Sequence, residues 1–241
     1  MIPTITINPN PPAKTRLDDY KYIASLRPVL WLSAHYFAGL VDTPNWITPM
    51  GDVSQRTTDS IGNPVVPSGT IQVVSDNGLS AYLFDKSNSI SATKEVNGMF
   101  TLVTAYRRNI LNDGTGRFFT SATGNRLFAS HATHQACLHI EGWIFGENQF
   151  QATDDIQLYA ATVDGTNKSM WGPYGNIFMN YTTGVCDWGI TVIGRPADST
   201  VPRTAGEAAH VFVYEALVFD TVLTDKQREN MMNIFKQYLY L

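Results

Sequence analysis

Residues 215–239 read EALVFDTVLTDKQRENMMNIFKQYL. After Glu215 the residues ALVF form a dense apolar run, a short turn follows, and a helix signal takes over. Thr224 is a natural N-cap, and Gln227 three residues later completes a T-x-x-Q capping box. Asp225 places an acid in the first turn, where the helix dipole favours it. Met231, Ile234, Phe235, Tyr238 and Leu239 recur every three or four residues and predict one apolar stripe. A helix so marked should pack beside the strand that precedes it.

Upstream of this ending the chain reads as strands and turns. PVLWL (Pro28 to Leu32), TIQVV (Thr70 to Val74), AYLF (Ala81 to Phe84) and MFTLVTAY (Met99 to Tyr106) are short and rich in β-branched or aromatic residues. GRFFTSA (Gly116 to Ala122), ACLHIEGWIF (Ala136 to Phe145), IQLYAATV (Ile156 to Val163), NIFMNY (Asn176 to Tyr181), GITVIG (Gly189 to Gly194) and HVFVYEALVF (His210 to Phe219) continue the series. Turn signals separate them, among them Asp76–Asn77–Gly78, Asn112–Asp113–Gly114, Thr123–Gly124–Asn125 and Asp164–Gly165–Thr166. Many short strands without alternating helices predict an all-β fold, an antiparallel β-sandwich or jelly roll. At the other end Pro3, Pro9, Pro11 and Pro12 predict an extended arm through residue 16. A short helix is expected over Asp18 to Leu26, before Pro28 ends it. The expected organisation is an arm with its helix over 1–27 and one domain over 28–241, since no repeat or linker divides the rest.

Composition narrows the function. The chain has 241 residues with 44% hydrophobic and 12% aromatic content, enough for a sizeable sandwich core. Charged residues are 16%, against roughly 25% in an average globular protein. Thr, Ser, Asn and Gln must therefore supply much of the polar surface, a balance typical of extracellular and virion proteins. A net charge of −4 with scattered Lys and Arg argues against nucleic acid as a partner. No apolar stretch is long enough for a membrane helix. MIPTITINPNPPAKTR lacks the basic start and apolar run of a secretory signal. Cys137 and Cys186 are read as buried free thiols, although a disulfide between them is open.

Four stretches, in order, resemble the concanavalin A-like lectin/glucanase superfamily in its LamG-like form, found in phage and bacterial surface proteins. PVLWLSA followed by Trp46 looks like the family's opening segment, with Ser33 where relatives carry an acid. GLSAYLFDKSNSI (Gly78 to Ile90) is similar to its next strand, and YAATVDGTNKSMWGPYGNI (Tyr159 to Ile177) to its central hairpin. EALVFDTVLTDKQREN (Glu215 to Asn230) resembles its ending, with Phe219, Asp220, Leu223, Thr224, Asp225 and Arg228 in register. The resemblance spans about residues 28–241 and implies a concanavalin A-like jelly roll.

Because the superfamily contains glucanases, catalysis must be weighed. Retaining hydrolysis needs two carboxylates on one strand face about 5 Å apart. The glutamates are Glu95, Glu141, Glu147, Glu207, Glu215 and Glu229, and none is followed by Asp two positions on. No G-x-S-x-G elbow occurs. Cys137 and His139 lack an orienting third group. His131, His134, Cys137, His139 and Glu141 cluster in HATHQACLHIE, but their spacing fits no zinc ligand set. Calcium, common among relatives, would draw on Asp113, Asp154, Asp155 or Asp164, each of which also reads as turn chemistry. No catalytic residue, metal site or cofactor is therefore assigned. MWGPYGNIFMNY offers rings for stacking on sugars and amides for their hydroxyls, which makes Trp171, Tyr174, Asn176 and Tyr181 the candidate ligand-binding residues. The leading expectation is a non-catalytic virion or surface protein, a phage head-decoration or tail-fibre component. It is expected to be a homo-oligomer that binds neighbouring virion or capsid proteins, surface glycans, or both, and to be located on the virion. A stand-alone carbohydrate-binding lectin is the alternative, and a glycoside hydrolase the third reading.

Overall fold

The structure is a computed structural model. It describes residues 13–35, 51–55, 57–85, 87–94, 96, 98–109, 116–120, 127–130, 137–139, 143–145, 155–172, 175–177, 192–194, 210–239 and 241. Strands are numbered in chain order. One sheet holds nine of them: β1 (Leu30–Ser33), β2 (Gly51–Asp52), β4 (Gln72–Asp76), β5 (Leu79–Phe84), β7 (Met99–Arg108), β12 (Gln157–Asp164), β13 (Asn167–Gly172), β14 (Gly175–Ile177) and β16 (Val211–Phe219). The other holds seven: β3 (Val65–Ser68), β6 (Ser89–Ala92), β8 (Gly116–Thr120), β9 (Leu127–Ser130), β10 (Cys137–His139), β11 (Trp143–Phe145) and β15 (Val192–Gly194). The larger sheet runs β14-β13-β12-β7-β16-β5-β4-β2 with β1 also on β16, and the smaller runs β11-β10-β9-β8-β15-β6-β3. These pairings are antiparallel. The fold class is thus the expected antiparallel two-sheet sandwich with a C-terminal helix.

Two helices, α1 (Ala13–Ser25) and α2 (Asp225–Leu239), complete the described elements. Leu32, Phe84, Phe100, Leu102, Tyr106, Phe128, Ile193 and Val218 fill the space between the sheets. The outer face of the nine-stranded sheet, with Trp31, Val103, Leu158, Leu217 and Phe219, is covered by Tyr20 and Ile23 of α1 and by Met231, Phe235 and Tyr238 of α2. The larger sheet is therefore apolar on both sides, and its central strands are buried almost continuously instead of alternating. That explains the unbroken ALVF run in the quoted stretch.

A bulge in β16 sets which residues face which layer. Val213 opposes Tyr106 and Glu215 opposes Ala105, so Tyr214 is the extra residue. After it the parity flips. Ala216 and Val218 face the inter-sheet core, while Leu217 and Phe219 face the helices. The bulge lies where the partner on the other side of β16 changes from β5, at Val211 to Val213, to β1, at Glu215 to Val218.

The local signals act as chemistry requires. Thr224 N–H donates to Gln227 Oε1 at 3.0 Å, and Gln227 N–H donates back to Thr224 Oγ1 at 3.3 Å. Met231, Phe235, Tyr238 and Leu239 of the stripe are buried and Ile234 is half-buried. Asn77 (φ 51) and Gly78 (φ 79) form the left-handed two-residue link between β4 and β5.

Three expectations need adjustment. The N-terminal helix starts at Ala13, ahead of Asp18, so Ala13 to Arg16 are helical instead of part of an arm. The last proline of the segment is Pro12, and AKTRL holds no helix breaker. Residues 1–12 lie outside the described residues. ACLHIEGWIF is two strands in place of one, with Cys137 opposite Phe145 across a hairpin. Finally β2, β3, β6 and β9 were not anticipated as separate strands. β3 carries Pro67 but sits at a sheet edge, where the missing N–H is tolerated.

Candidate functional site

The seam between α2 and the β13–β14 edge of the larger sheet holds a cleft of about 280 Å³, lined by Trp171, Gly172, Arg228, Glu229, Met232, Asn233 and Lys236. This lies near the lower end of the range for small-molecule sites, roughly 300–1,000 Å³. Its walls follow from helix periodicity. Arg228, Met232 and Lys236 stand four residues apart, as do Glu229 and Asn233, so they form a face beside the apolar stripe that docks the helix. β13 supplies Trp171, and Gly172 beside it adds no side chain.

Trp171 is half-buried, and the Arg228 guanidinium carbon lies 3.6 Å from the centroid of its ring. Arg228 is only 2% exposed. Its Nη1 donates to Asp225 Oδ1 at 2.8 Å, and that carboxylate is 84% exposed. Trp171 Nε1 and Arg228 Nε are both buried without a hydrogen-bond partner among the described residues. Glu229 and Asn233 are exposed, and Lys236 is half-buried. The cleft thus combines an aromatic ring, unpaired N–H donors, an amide and one carboxylate.

Of the residues singled out in the sequence, Trp171 lines this cleft, and Asn176 is its direct register partner across β13 and β14. Tyr174 and Tyr181 lie outside the described residues, as do Cys186, His131, His134, Glu141, Asp113 and Asp154. Cys137 and His139 are on β10. Asp155 and Asp164 are exposed positions flanking β12 or ending it. Among the described residues no group of three or more His, Cys, Asp or Glu could hold a metal, and no helix is long and apolar enough to cross a membrane. Sequence reasoning missed Arg228, Glu229, Asn233 and Lys236 as site residues. Their signal was a four-residue polar spacing on α2, overshadowed by the apolar stripe.

The buried carboxylates elsewhere are committed to the fold. Glu215, 1% exposed, accepts from Trp31 Nε1 at 2.9 Å and from Ser33 Oγ at 2.6 Å. His35 Nδ1 is 3.8 Å from it. The Ser33 proton therefore goes to a carboxylate and the hydroxyl is fully buried, so this trio offers no accessible nucleophile. Asp59 accepts from the backbone N–H groups of Trp31, Ile61 and Asn63 and from Asn63 Nδ2, tying residues 59–63 to β1. Burial pushes its pKa up against the downward pull of those donors. Asp76 accepts from Arg107 Nε at 2.7 Å and from the Tyr214 hydroxyl. Burial first, then that bond to Asp76, hold the Tyr214 hydroxyl far above its ordinary pKa of 10.0.

No protein-family model matches the sequence, and comparison with curated proteins gives no match. Solved structures do match by fold. Domain 4 of AbnA, an extracellular arabinanase from Geobacillus stearothermophilus, solved with arabinotriose, aligns at TM-score 0.53 and 15% identity over 77% of this chain and 97% of that one. The binding domain of Paraclostridial Mosquitocidal Protein 1 aligns at TM-score 0.53 and 10% identity over 77% of this chain and 50% of its own. A structure of botulinum neurotoxin type C, whose cell entry depends on interaction with two ganglioside molecules, aligns at TM-score 0.51 and 9% identity over 76% of this chain and 50% of its own. The chain thus spans nearly all of the arabinanase domain and about half of the toxin structures. At these identities the likeness establishes a lectin-like β-sandwich fold.

Proposed function

We propose that the chain is a non-catalytic carbohydrate-binding module on a concanavalin A-like sandwich, and that the cleft at the α2–β13 seam is its glycan site. The observation that carries this reading is the cleft itself, where Trp171 and Gly172 face Arg228, Glu229, Asn233 and Lys236. An aromatic body with a few convergent polar groups is the chemistry of small-ligand sites. Asn176, opposite Trp171 in the strand ladder, belongs to the same region. The shared fold with an arabinotriose-bound domain adds support. Among the described residues Glu229 is the one glutamate that lines the cleft, and Glu215 is buried in the fold.

The virion reading gains no comparable support from similar folds, so carbohydrate binding moves ahead of it. Capsid or tail partners, and a place on the virion, remain compatible with a module that holds glycans. A glycan array probed with and without calcium tests the leading reading. Binding to a defined set of saccharides, abolished by Trp171→Ala in a variant that melts as the parent does, is the expected result. A blank array under both conditions, or turnover of a bound polysaccharide, overturns it.

A further inference from the structure

We infer that the cleft selects an acidic saccharide, a sugar unit carrying a carboxylate, received by the donors of Arg228, Trp171 and Lys236. This rests on the carbohydrate-binding reading of the same cleft and deepens it.

The polar groups of the cleft are unbalanced toward donors. Trp171 Nε1 and Arg228 Nε are buried N–H groups with no acceptor among the described residues. The Lys236 ammonium makes no ion pair with a described carboxylate. A guanidinium presents its N–H groups in a planar fork suited to a carboxylate, and among the described residues only Nη1 is engaged by one, that of Asp225.

The placement of charge points the same way. Arg228 is a cation buried to 2% exposure, and a buried charge is stable only when paired. Its partner Asp225 is 84% exposed, where water weakens the attraction. Glu229 is likewise exposed, whereas Lys236 is half-buried. The inward charges are positive and the negative ones face solvent. An anion held in the cleft lies beside Trp171, Arg228 and Lys236, and the exposed Glu229 and Asn233 can take up its ring hydroxyls. The guanidinium also lies against one face of Trp171, so the ring presents that face to cation contact in place of sugar stacking. Recognition at this point is therefore electrostatic and hydrogen-bonded.

Calorimetric titration of the full chain with two matched pairs tests the inference: oligogalacturonate against a neutral galacto-oligomer of equal length, and sialyllactose against lactose. The pairs distinguish a uronate from a sialate source of the carboxylate. In at least one pair the acidic member is expected to bind about tenfold or more tightly than its neutral counterpart, with the preference shrinking as salt rises. Because Arg228 is packed into the helix–sheet seam, Lys236→Gln and Trp171→Phe carry the test. The second keeps a ring and removes the Nε1 donor. Each should reduce the preference several-fold at unchanged melting temperature. Equal or tighter binding of the neutral member in both pairs overturns this inference and leaves the carbohydrate reading in place. A preference that survives both substitutions removes it from this cleft. Absence of binding by every probe, with a blank glycan array, overturns both.

Discussion

Tyr214 illustrates how one residue can serve geometry and charge together. It is the inserted position of the β16 bulge, and its hydroxyl donates to Asp76, which Arg107 also holds. Since its folded pKa lies above 10.0, the unfolded chain ionises first as pH rises. Its contribution to stability is fully present below that value and is lost as pH climbs toward the folded one. Tyr214→Phe is expected to lower stability by about 1–2 kcal/mol at neutral pH, through the lost hydrogen bond. It should also flatten the decline above about pH 10. Urea unfolding of parent and variant across that range checks both; parallel pH profiles would contradict the assignment. Little of this was legible beforehand. The hydrogen bond from Tyr214 to Asp76 closes a separation of 138 residues, and that from Trp31 to Glu215 one of 184. Sequence showed Glu215 only as a lone acid ahead of an apolar run. The donors that satisfy it, Trp31 and Ser33, come from a strand near the other end of the chain.

At the scale of elements, α2 was readable because its signals are local. The capping box joins residues three apart, and the apolar stripe repeats within one helix. Thr224→Ala removes both Oγ1 contacts of the box and is expected to destabilise the protein by about 1 kcal/mol. That corresponds to a fall of roughly 2–4 °C in melting temperature for a domain of this size. Scanning calorimetry would detect it, and an unchanged transition would show that tertiary packing alone fixes the helix start. β7, β12 and β16 were readable for a different reason. Both faces of their sheet are covered, so their apolar runs are continuous. The elements that escaped are short and depend on neighbours: β3 is admitted with its proline because it lies at an edge, and β10 and β11 are separate because the chain reverses between His139 and Trp143. The start of α1 escaped because proline dominated the reading of residues 1–16, although helix-compatible residues resume at Ala13.

For the whole molecule, the order of layers determines where a ligand can be met. The inter-sheet core is packed, and the outer face of the larger sheet is roofed by α1 and α2. The cleft opens where that roof meets the β13–β14 edge. Of the sequence candidates, Trp171 lines this cleft and Asn176 pairs with it in the strand ladder; both lie in one aromatic and amide-rich stretch. The helical side was hidden because Arg228 reaches Trp171, and Lys236 the same cleft, only after α2 folds back over the sheet. The central claim is that saccharide binds at this seam. The most direct measurement is a titration of the ¹⁵N-labelled protein with a saccharide selected on the array, following the Trp171 indole N–H assigned by Trp171→Phe. A saturable shift of that resonance, with the same affinity as binding measured independently, is the predicted result. Binding that leaves the Trp171 indole unmoved would contradict it.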